Sequence, residues 1–247
     1  MVGKKVRLDQ LLVDRGFVEN RSKAQSIIMA GKVFSDNFRL EKSGKQVAKD
    51  LPIEIRGMKH QWVSRGGLKL AHGINFFGIN PEGLTCLDVG SSTGGFTDVL
   101  LQYGAKKVYA VDVGRAQLAW KLRQDARVIV MEGTNARYLG PQDISELIDL
   151  IVCDASFIGL QTLLPSILKL ASSSAQLIAL IKPQFEVGKE KVGKKGIVHD
   201  PVQHSEVCKK IECWLELQPG WSVSGITKSP IKGLRGNQEF LIGGQRN

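Results

Sequence analysis

No apolar run in this sequence approaches the ~20 residues that a bilayer-spanning helix needs, and runs such as 177–181 are far shorter. The opening residues, Met-Val-Gly-Lys-Lys-Val-Arg-Leu-Asp, lack the apolar stretch of a signal peptide, so none is expected. No large basic amphipathic helix is evident, which argues against membrane lysis. Cysteine is scarce. Among Cys86, Cys153, Cys208 and Cys213, no two form a Cys-x-x-Cys pair, and none has a histidine beside it at ligand spacing. That pattern excludes a disulfide scaffold and gives no reason to expect a metal. Cys86 and Cys153 fall in apolar, strand-like runs where a thiol packs as a small hydrophobe, and a reduced, cytoplasmic protein is expected. No internal repeat or long low-complexity tract interrupts the 247 residues.

What the chain has in excess is positive charge. A net charge of +10 points to an anionic partner, most often nucleic acid, with simple solubility as the alternative. The excess is uneven: residues 1–62 carry 13 Lys and Arg against 7 Asp and Glu, a net +6, whereas the remaining 185 residues carry +4. Residues 4–58 read as two short helices followed by strand-like pieces. Leu8, Leu11 and Leu12 recur at helical spacing and Gly16 closes that helix. Asn20 caps the next, which shows Ala24, Ile27 and Ile28 on its apolar face and stops at Gly31. Ile53-Glu54-Ile55 alternates as a strand does. Lys4, Lys5, Arg7, Arg15, Arg21, Lys23 and Lys32 stud this segment, either as a patch matched to phosphates or as scattered solvated charges. In order, Arg7-Leu-Asp-Gln-Leu-Leu, Arg15-Gly, Arg21-Ser-Lys-Ala-Gln, Ile28 and Ala30-Gly-Lys-Val33 resemble the S4 RNA-binding domain. The resemblance implies a small α+β domain over residues 1–58 that meets folded RNA through phosphates and shape. Residues 59–64, Lys-His-Gln-Trp-Val-Ser, read as a linker that docks, because Trp62 is too large an apolar group to leave in water.

From residue 65 to 247 the texture changes. Strands are expected near 85–89, 107–112, 127–131, 148–153, 176–181, 221–227 and 238–242, with helices near 96–103, 115–123, 159–171 and 201–216. Asp200-Pro201 is a cap followed by proline at the first helical position. This alternation implies a seven-stranded, mostly parallel sheet with helices on both faces. The most informative stretch is 87–98, Leu-Asp-Val-Gly-Ser-Ser-Thr-Gly-Gly-Phe-Thr-Asp, a strand ending in a glycine-rich turn that opens a helix. Such turns admit a bulky ligand close to the backbone. The dinucleotide fingerprint would need glycine where Ser92 stands, and the leading Asp88 suits the sulfonium and amino group of S-adenosylmethionine better than a pyrophosphate. Asp112, ending the next strand, is placed to accept from ribose hydroxyls. Gly188-Lys-Glu-Lys-Val-Gly193-Lys194-Lys195 nearly matches a P-loop, but Lys195 replaces the required Ser or Thr. It is read as a flexible loop or a phosphate-gripping rim.

Asp154, Lys182 and Glu239 lie at further strand ends, and Lys69 lies upstream; each alone has a bland explanation. Together with their neighbours they carry a resemblance. The strings Val63-Ser-Arg-Gly-Gly-Leu-Lys-Leu, Asp88 to Asp98, Val152-Cys-Asp-Ala-Ser-Phe, Leu180-Ile-Lys-Pro-Gln-Phe-Glu and Gly236-Asn-Gln-Glu-Phe are similar to those of the TlyA (hemolysin A) family, relatives of the FtsJ-type ribose methyltransferases. The likeness runs nearly end to end. It implies a class I, Rossmann-like methyltransferase domain, S-adenosylmethionine as cofactor and ribosomal RNA or a ribosomal subunit as partner. It also implies a catalytic tetrad of Lys69, Asp154, Lys182 and Glu239 acting on ribose 2′-hydroxyls; because such a hydroxyl is a poor nucleophile until its proton is accepted, Lys182 is expected to receive or orient that proton. Gly90, Ser91, Ser92, Gly94, Gly95, Phe96 and Asp112 are expected to line the cofactor with Asp88, and Glu132 to Asn135 to lie near the adenine. Arg65, Lys189 and Lys191 join the basic residues expected at RNA. His60 stands where the family's linker usually has Arg. Two other classes remain open: an RNA-binding or assembly factor with a silent methyltransferase fold, and a membrane-lysing hemolysin.

Overall fold

A computed structural model describes residues 5–15, 17–18, 20–35, 38–49, 51–55, 61–188, 191–193, 196–233 and 236–247. The chain divides into two units, Met1–Lys59 and His60–Asn247. The expected Gly16 helix stop, and candidate residues Lys4, His60 and Lys189, lie outside the described residues.

The first unit runs β1 (Lys5–Arg7), α1 (Leu8–Asp14), α2 (Arg21–Met29), β2 (Val33–Ser35), β3 (Phe38–Arg39), β4 (Gln46–Ala48) and β5 (Glu54–Ile55). β1 pairs antiparallel with β4, and β2 lies between β3 and β5. Leu8, Leu11, Leu12, Ala24, Ile27, Ile28 and Val33 form its core, as the helical spacing requires. The Asn20 side chain accepts from the Lys23 amide at 2.9 Å and so caps α2. Gly31, with φ +66°, turns the chain out of it.

The second unit runs α3 (Gly67–Phe77), β6 (Thr85–Val89), α4 (Gly95–Gln102), β7 (Lys107–Asp112), α5 (Trp120–Arg123), β8 (Val128–Glu132), β9 (Ile148–Cys153), α6 (Leu160–Ile167), β10 (Ala171–Ile181), α7 (Pro183–Glu186), α8 (Pro201–Glu216), β11 (Trp221–Lys228) and β12 (Phe240–Arg246). Its seven strands are ordered β11-β12-β10-β9-β6-β7-β8. β10, β9, β6, β7 and β8 are mutually parallel, and β12 is antiparallel to both its neighbours. Alternate residues feed two cores. Leu87, Tyr109, Ile151 and Leu177 pack with Leu164 of α6 and Ile211 of α8, whereas Cys86, Val108, Leu150 and Ile178 pack with Leu70 of α3 and Leu100 of α4. This is the doubly wound Rossmann-like architecture that the strand–helix alternation implies. Strand order reverses between β6 and β9, so a crevice opens beyond their carboxyl ends.

Three expected elements need correction. The helix expected over 115–123 shrinks to α5. The backbone amides of Ala116, Gln117 and Leu118 donate to the Glu132 carboxylate at 2.8, 2.9 and 3.0 Å, and Ala116 has φ +57°, so residues before Trp120 cannot join a helical ladder. The helix expected over 159–171 ends earlier: α6 gives way to one 3-10 turn, Leu168–Leu170, and Ala171 already belongs to β10. β12 begins at Phe240 and runs to Arg246, later than expected. α3 was not anticipated, because Gly66-Gly67 at its start lowers helix propensity.

Gly67 serves Trp62. A Cβ on Gly67 would fall 2.4 Å from Trp62 Cγ, so the indole occupies the space that a side chain would take. Trp62 is buried against α3 and α4 and its ring lies 6.1 Å from that of Tyr103. The next amide, Val63 N–H, donates to Asp98 at 2.7 Å, and Lys121 donates to the same carboxylate at 3.0 Å. Trp62→Ala is expected to destabilise this unit by about 3–5 kcal/mol. All four tryptophans lie in this unit, so the loss is read as a lower urea midpoint in the fluorescence of the other three.

Candidate active site

The four polar residues from distant parts of the sequence meet at the carboxyl ends of β9 and β10. Lys69 enters from the first turn of α3, Asp154 follows β9, Lys182 follows β10 and Glu239 precedes β12. Glu239 Oε2 lies 2.7 Å from Lys69 Nζ, Lys69 Nζ lies 3.2 Å from Asp154 Oδ2, and Asp154 Oδ1 lies 2.5 Å from Lys182 Nζ. Charges alternate along this line and cancel. Side-chain exposure is 2% for Glu239, 9% for Lys69 and 8% for Lys182, so the cancellation is a condition of burial. For Lys69, burial alone would lower the pKa; Asp154 and Glu239 outweigh it and hold the ammonium above its ordinary value. Lys182 Nζ also donates to Asp154 O at 3.2 Å and to Ser156 Oγ at 2.9 Å.

These residues form one wall of a cavity of about 310 Å³ whose opposite wall is the turn after β6. Gly90, Ser91, Ser92, Gly95 and Phe96 line it, with Thr93. Gly90 has φ +84°, and a Cβ there would meet the backbone of Asp154 and Ala155 at 3.0 Å. Only glycine lets the turn lie this close to the Asp154 strand end. Gly94, at φ +95°, faces Leu122 rather than the cavity. Ser92 also takes a positive φ, +47°, and its amide donates to Asp112 Oδ2 at 2.8 Å while Gly114 N–H donates to Oδ1 at 2.7 Å. Asp112 thus ties the turn to the end of β7.

Asp88 lies beneath the turn, fully buried. Its Oδ2 accepts from Thr97 Oγ1 at 2.6 Å, and its Oδ1 has no hydrogen-bond partner. Burial pushes this carboxyl up to about 7. Ser91 Oγ is likewise buried and without a hydrogen-bond partner. Glu132 and Asn135 are not among the cavity-lining residues. Glu132 is spent on the 116–118 amides and on Arg123, which hold its carboxyl down at about 2, and Asn135 Oδ1 accepts from the Arg137 amide at 3.1 Å.

Ser64, Gly66, Ser156, Gln184 and Phe185 also line the cavity, and none was singled out from sequence. All stand inside the motif strings that carried Lys69, Asp154 and Lys182, which was the available signal. Phe157, next to Ser156, has φ +66°, a strained conformation for a bulky residue, and its exposed ring lies 5.3 Å from that of Phe185. A Cβ on Gly233 would lie 1.8 Å from Glu239 Oε1, so that glycine makes room for the buried carboxylate. Of the basic candidates in this unit, Arg65 donates to Lys232 O at 3.0 Å and Lys191 pairs with Glu206 at 3.5 Å. Arg15, in the first unit, donates to the Leu51 carbonyl at 2.6 Å and to that of Lys49. Lys5, Lys23, Arg7 and Arg21 are exposed, and Lys32 is half-buried.

The chain is similar to known proteins in both units. The family model described as FtsJ-like methyltransferase matches residues 62–246, and that of the S4 domain matches residues 6–51. "Putative rRNA methyltransferase YqxC" of Bacillus subtilis is 49% identical over 98% of this chain and 86% of its own length. The "16S/23S rRNA (cytidine-2′-O)-methyltransferase TlyA" of Mycobacterium tuberculosis is 43% identical over 98% and 90%. The solved "Putative hemolysin from Streptococcus thermophilus" is 42% identical, covers 98% of this chain and 89% of its own, and superposes with a TM-score of 0.76.

Asp88 has a thermodynamic consequence. Its carboxyl binds a proton more tightly folded, at about 7, than at the ordinary 3.8. The stability it contributes is therefore complete below pH 4, declines as pH rises to about 7, and is flat above. Urea unfolding of wild type and Asp88→Asn between pH 5 and 8 is expected to show the wild type losing stability relative to the variant across pH 5–7, with the two curves parallel above that.

Proposed function

Because the chain belongs to the FtsJ-like methyltransferase family and carries an S4 domain ahead of that unit, we propose that it transfers a methyl group from S-adenosylmethionine to a ribose 2′-hydroxyl of ribosomal RNA, and that it does so in the cytoplasm. Relatives that align with more than nine-tenths of the chain have names that state rRNA (cytidine-2′-O)-methylation. The observation that carries the reading is the Glu239–Lys69–Asp154–Lys182 line, set across one cavity from the Gly90–Phe96 turn.

The residues fit the cofactor. Gly90 keeps the cavity floor free of side chain, and Asp88 Oδ1 and Ser91 Oγ are buried polar atoms without hydrogen-bond partners next to it. A cation nearby would draw Asp88 toward its carboxylate form. Asp88, Gly90, Ser91, Ser92, Gly94, Gly95, Phe96 and Asp112 would hold S-adenosylmethionine, with Glu132 and Asn135 shaping the adenine end through the 114–118 loop and the Arg137 turn. When bound, that cofactor supplies a methyl group activated on a sulfonium.

The chain's own work is to prepare the oxygen. A ribose hydroxyl is a weak nucleophile until its proton has somewhere to go. Lys182 Nζ is held by Asp154, paired with Oδ1 and donating to the carbonyl oxygen, and it also donates to the hydroxyl of Ser156, an exposed residue. A ribose hydroxyl is chemically equivalent to that serine hydroxyl and can take its place. Lys182 would orient the 2′-hydroxyl and, after giving up one of its own protons, receive the 2′ proton as the methyl group passes from the sulfur to that oxygen. Asp154 and Lys69 keep the amine aimed, and Glu239 keeps Lys69 charged and in place. Most of the acceleration is positional.

Lys182→Ala is expected to lower single-turnover methylation of ribosomal RNA by about 10²–10⁴-fold. Its affinity for S-adenosylmethionine by calorimetry, and for RNA by filter binding, is expected to stay within a few-fold of wild type. Mapping 2′-O-methylation on ribosomal RNA treated with each protein checks the product; full activity in the variant would remove Lys182 from the chemistry.

A further inference from the structure

The first unit holds a carboxylate that neither its fold nor the methyl transfer explains by itself. Asp9, at the start of α1, is fully buried. Its Oδ1 accepts from Arg7 Nε at 3.0 Å and from the Gln10 amide at 2.9 Å. Its Oδ2 accepts from Arg7 Nη2 at 2.8 Å, from Arg21 Nη2 at 3.2 Å and from Gln25 Nε2 at 3.2 Å. The Arg7 hydrogen bonds, foremost, hold this carboxyl well below the ordinary carboxylate range, so it is charged at every physiological pH. The two arginines come from different elements, β1 and α2, yet share this one anion. Their side chains remain 43% and 50% exposed.

A guanidinium has five donors in a rigid plane. Arg7 spends two of its nitrogens on Asp9 and Arg21 spends one, so both retain donors for another anion. Without a shared counter-ion, two neighbouring guanidinium groups would repel each other and sample many rotamers. With it, their planes are set before any ligand arrives. We propose that Asp9 is a positioning residue for RNA: a buried carboxylate that presents Arg7 and Arg21 as one preorganised fork for backbone phosphate. The proposal rests on the reading of this unit as RNA-binding. It adds that an acidic residue, in a unit whose net charge already favours RNA, increases rather than opposes the affinity.

That sign makes the test sharp. Asp9→Asn raises the net charge by one, and long-range electrostatics alone predicts tighter RNA binding. Preorganisation predicts the reverse, a Kd for a ribosomal RNA transcript about tenfold weaker near physiological salt, with a shallower salt dependence. KM for RNA is expected to rise by a similar factor while kcat at saturating RNA is unchanged. In the Arg7→Ala/Arg21→Ala background, Asp9→Asn is expected to have no further effect. A surface variant, Arg7→Lys/Arg21→Lys, keeps both charges but loses the planar grip on Asp9, and is expected to bind about as weakly as the alanine pair even if Asp9→Asn fails to fold. Equal or tighter binding by folded Asp9→Asn, or wild-type binding by the lysine pair, overturns the role of Asp9. If the alanine pair itself binds RNA as wild type does, the RNA-binding reading of Arg7 and Arg21 fails as well.

Discussion

Charges taken out of water must be matched where they stand, and in the second unit that requirement links four segments far apart in sequence. Glu239 neutralises Lys69, Lys69 steadies Asp154, and Asp154 fixes Lys182. Removing any one leaves an uncompensated buried charge, a loss of about 3–5 kcal/mol in comparable sites. The line is therefore a structural clamp as well as a chemical device. It holds the start of α3, the ends of β9 and β10 and the approach to β12 at fixed separations, and those separations shape the cavity wall.

The opposite wall obeys a different constraint, the absence of side-chain volume. Gly90 lets the turn after β6 touch the backbone beyond β9, and Gly67 and Gly233 make room for Trp62 and Glu239. Beneath the turn lies the Asp88 carboxyl, which burial keeps largely protonated below pH 7. The site thus combines a rigid electrostatic side with a close-fitting glycine turn. An enzyme that must bring a hydroxyl and a methyl donor into line needs both.

Much of this was legible from residues alone. The parallel strands are continuous apolar runs bounded by turns, so β6, β7 and β9 emerged at nearly their observed limits, and the strand ends pointed to Asp154 and Lys182. α3 stayed hidden because Gly67 makes sense only once Trp62 is seen against it. Residues 115–119 looked helical because Leu118 and Leu122 share a helical spacing, and nothing local reveals that Glu132 captures their amides. Ser156 and Gly233 owe their roles to meetings across more than twenty-five and six residues respectively, with Lys182 and Glu239. Asp9 was missed for a related reason. In a search for cations that bind RNA, the anion that arranges them carries the wrong sign.

The position of β12 has a consequence for how the chain matures. This strand inserts between β10 and β11, and among the described residues β11 has no other neighbour in the sheet. Until β12 docks, the β10 edge is unpaired and Glu239, just before that strand, has no fixed address. Such non-local closure is slow relative to helix formation. Completion of the sheet and completion of the buried charge line are therefore the same event, and a chain with β12 undocked cannot hold the site in working order.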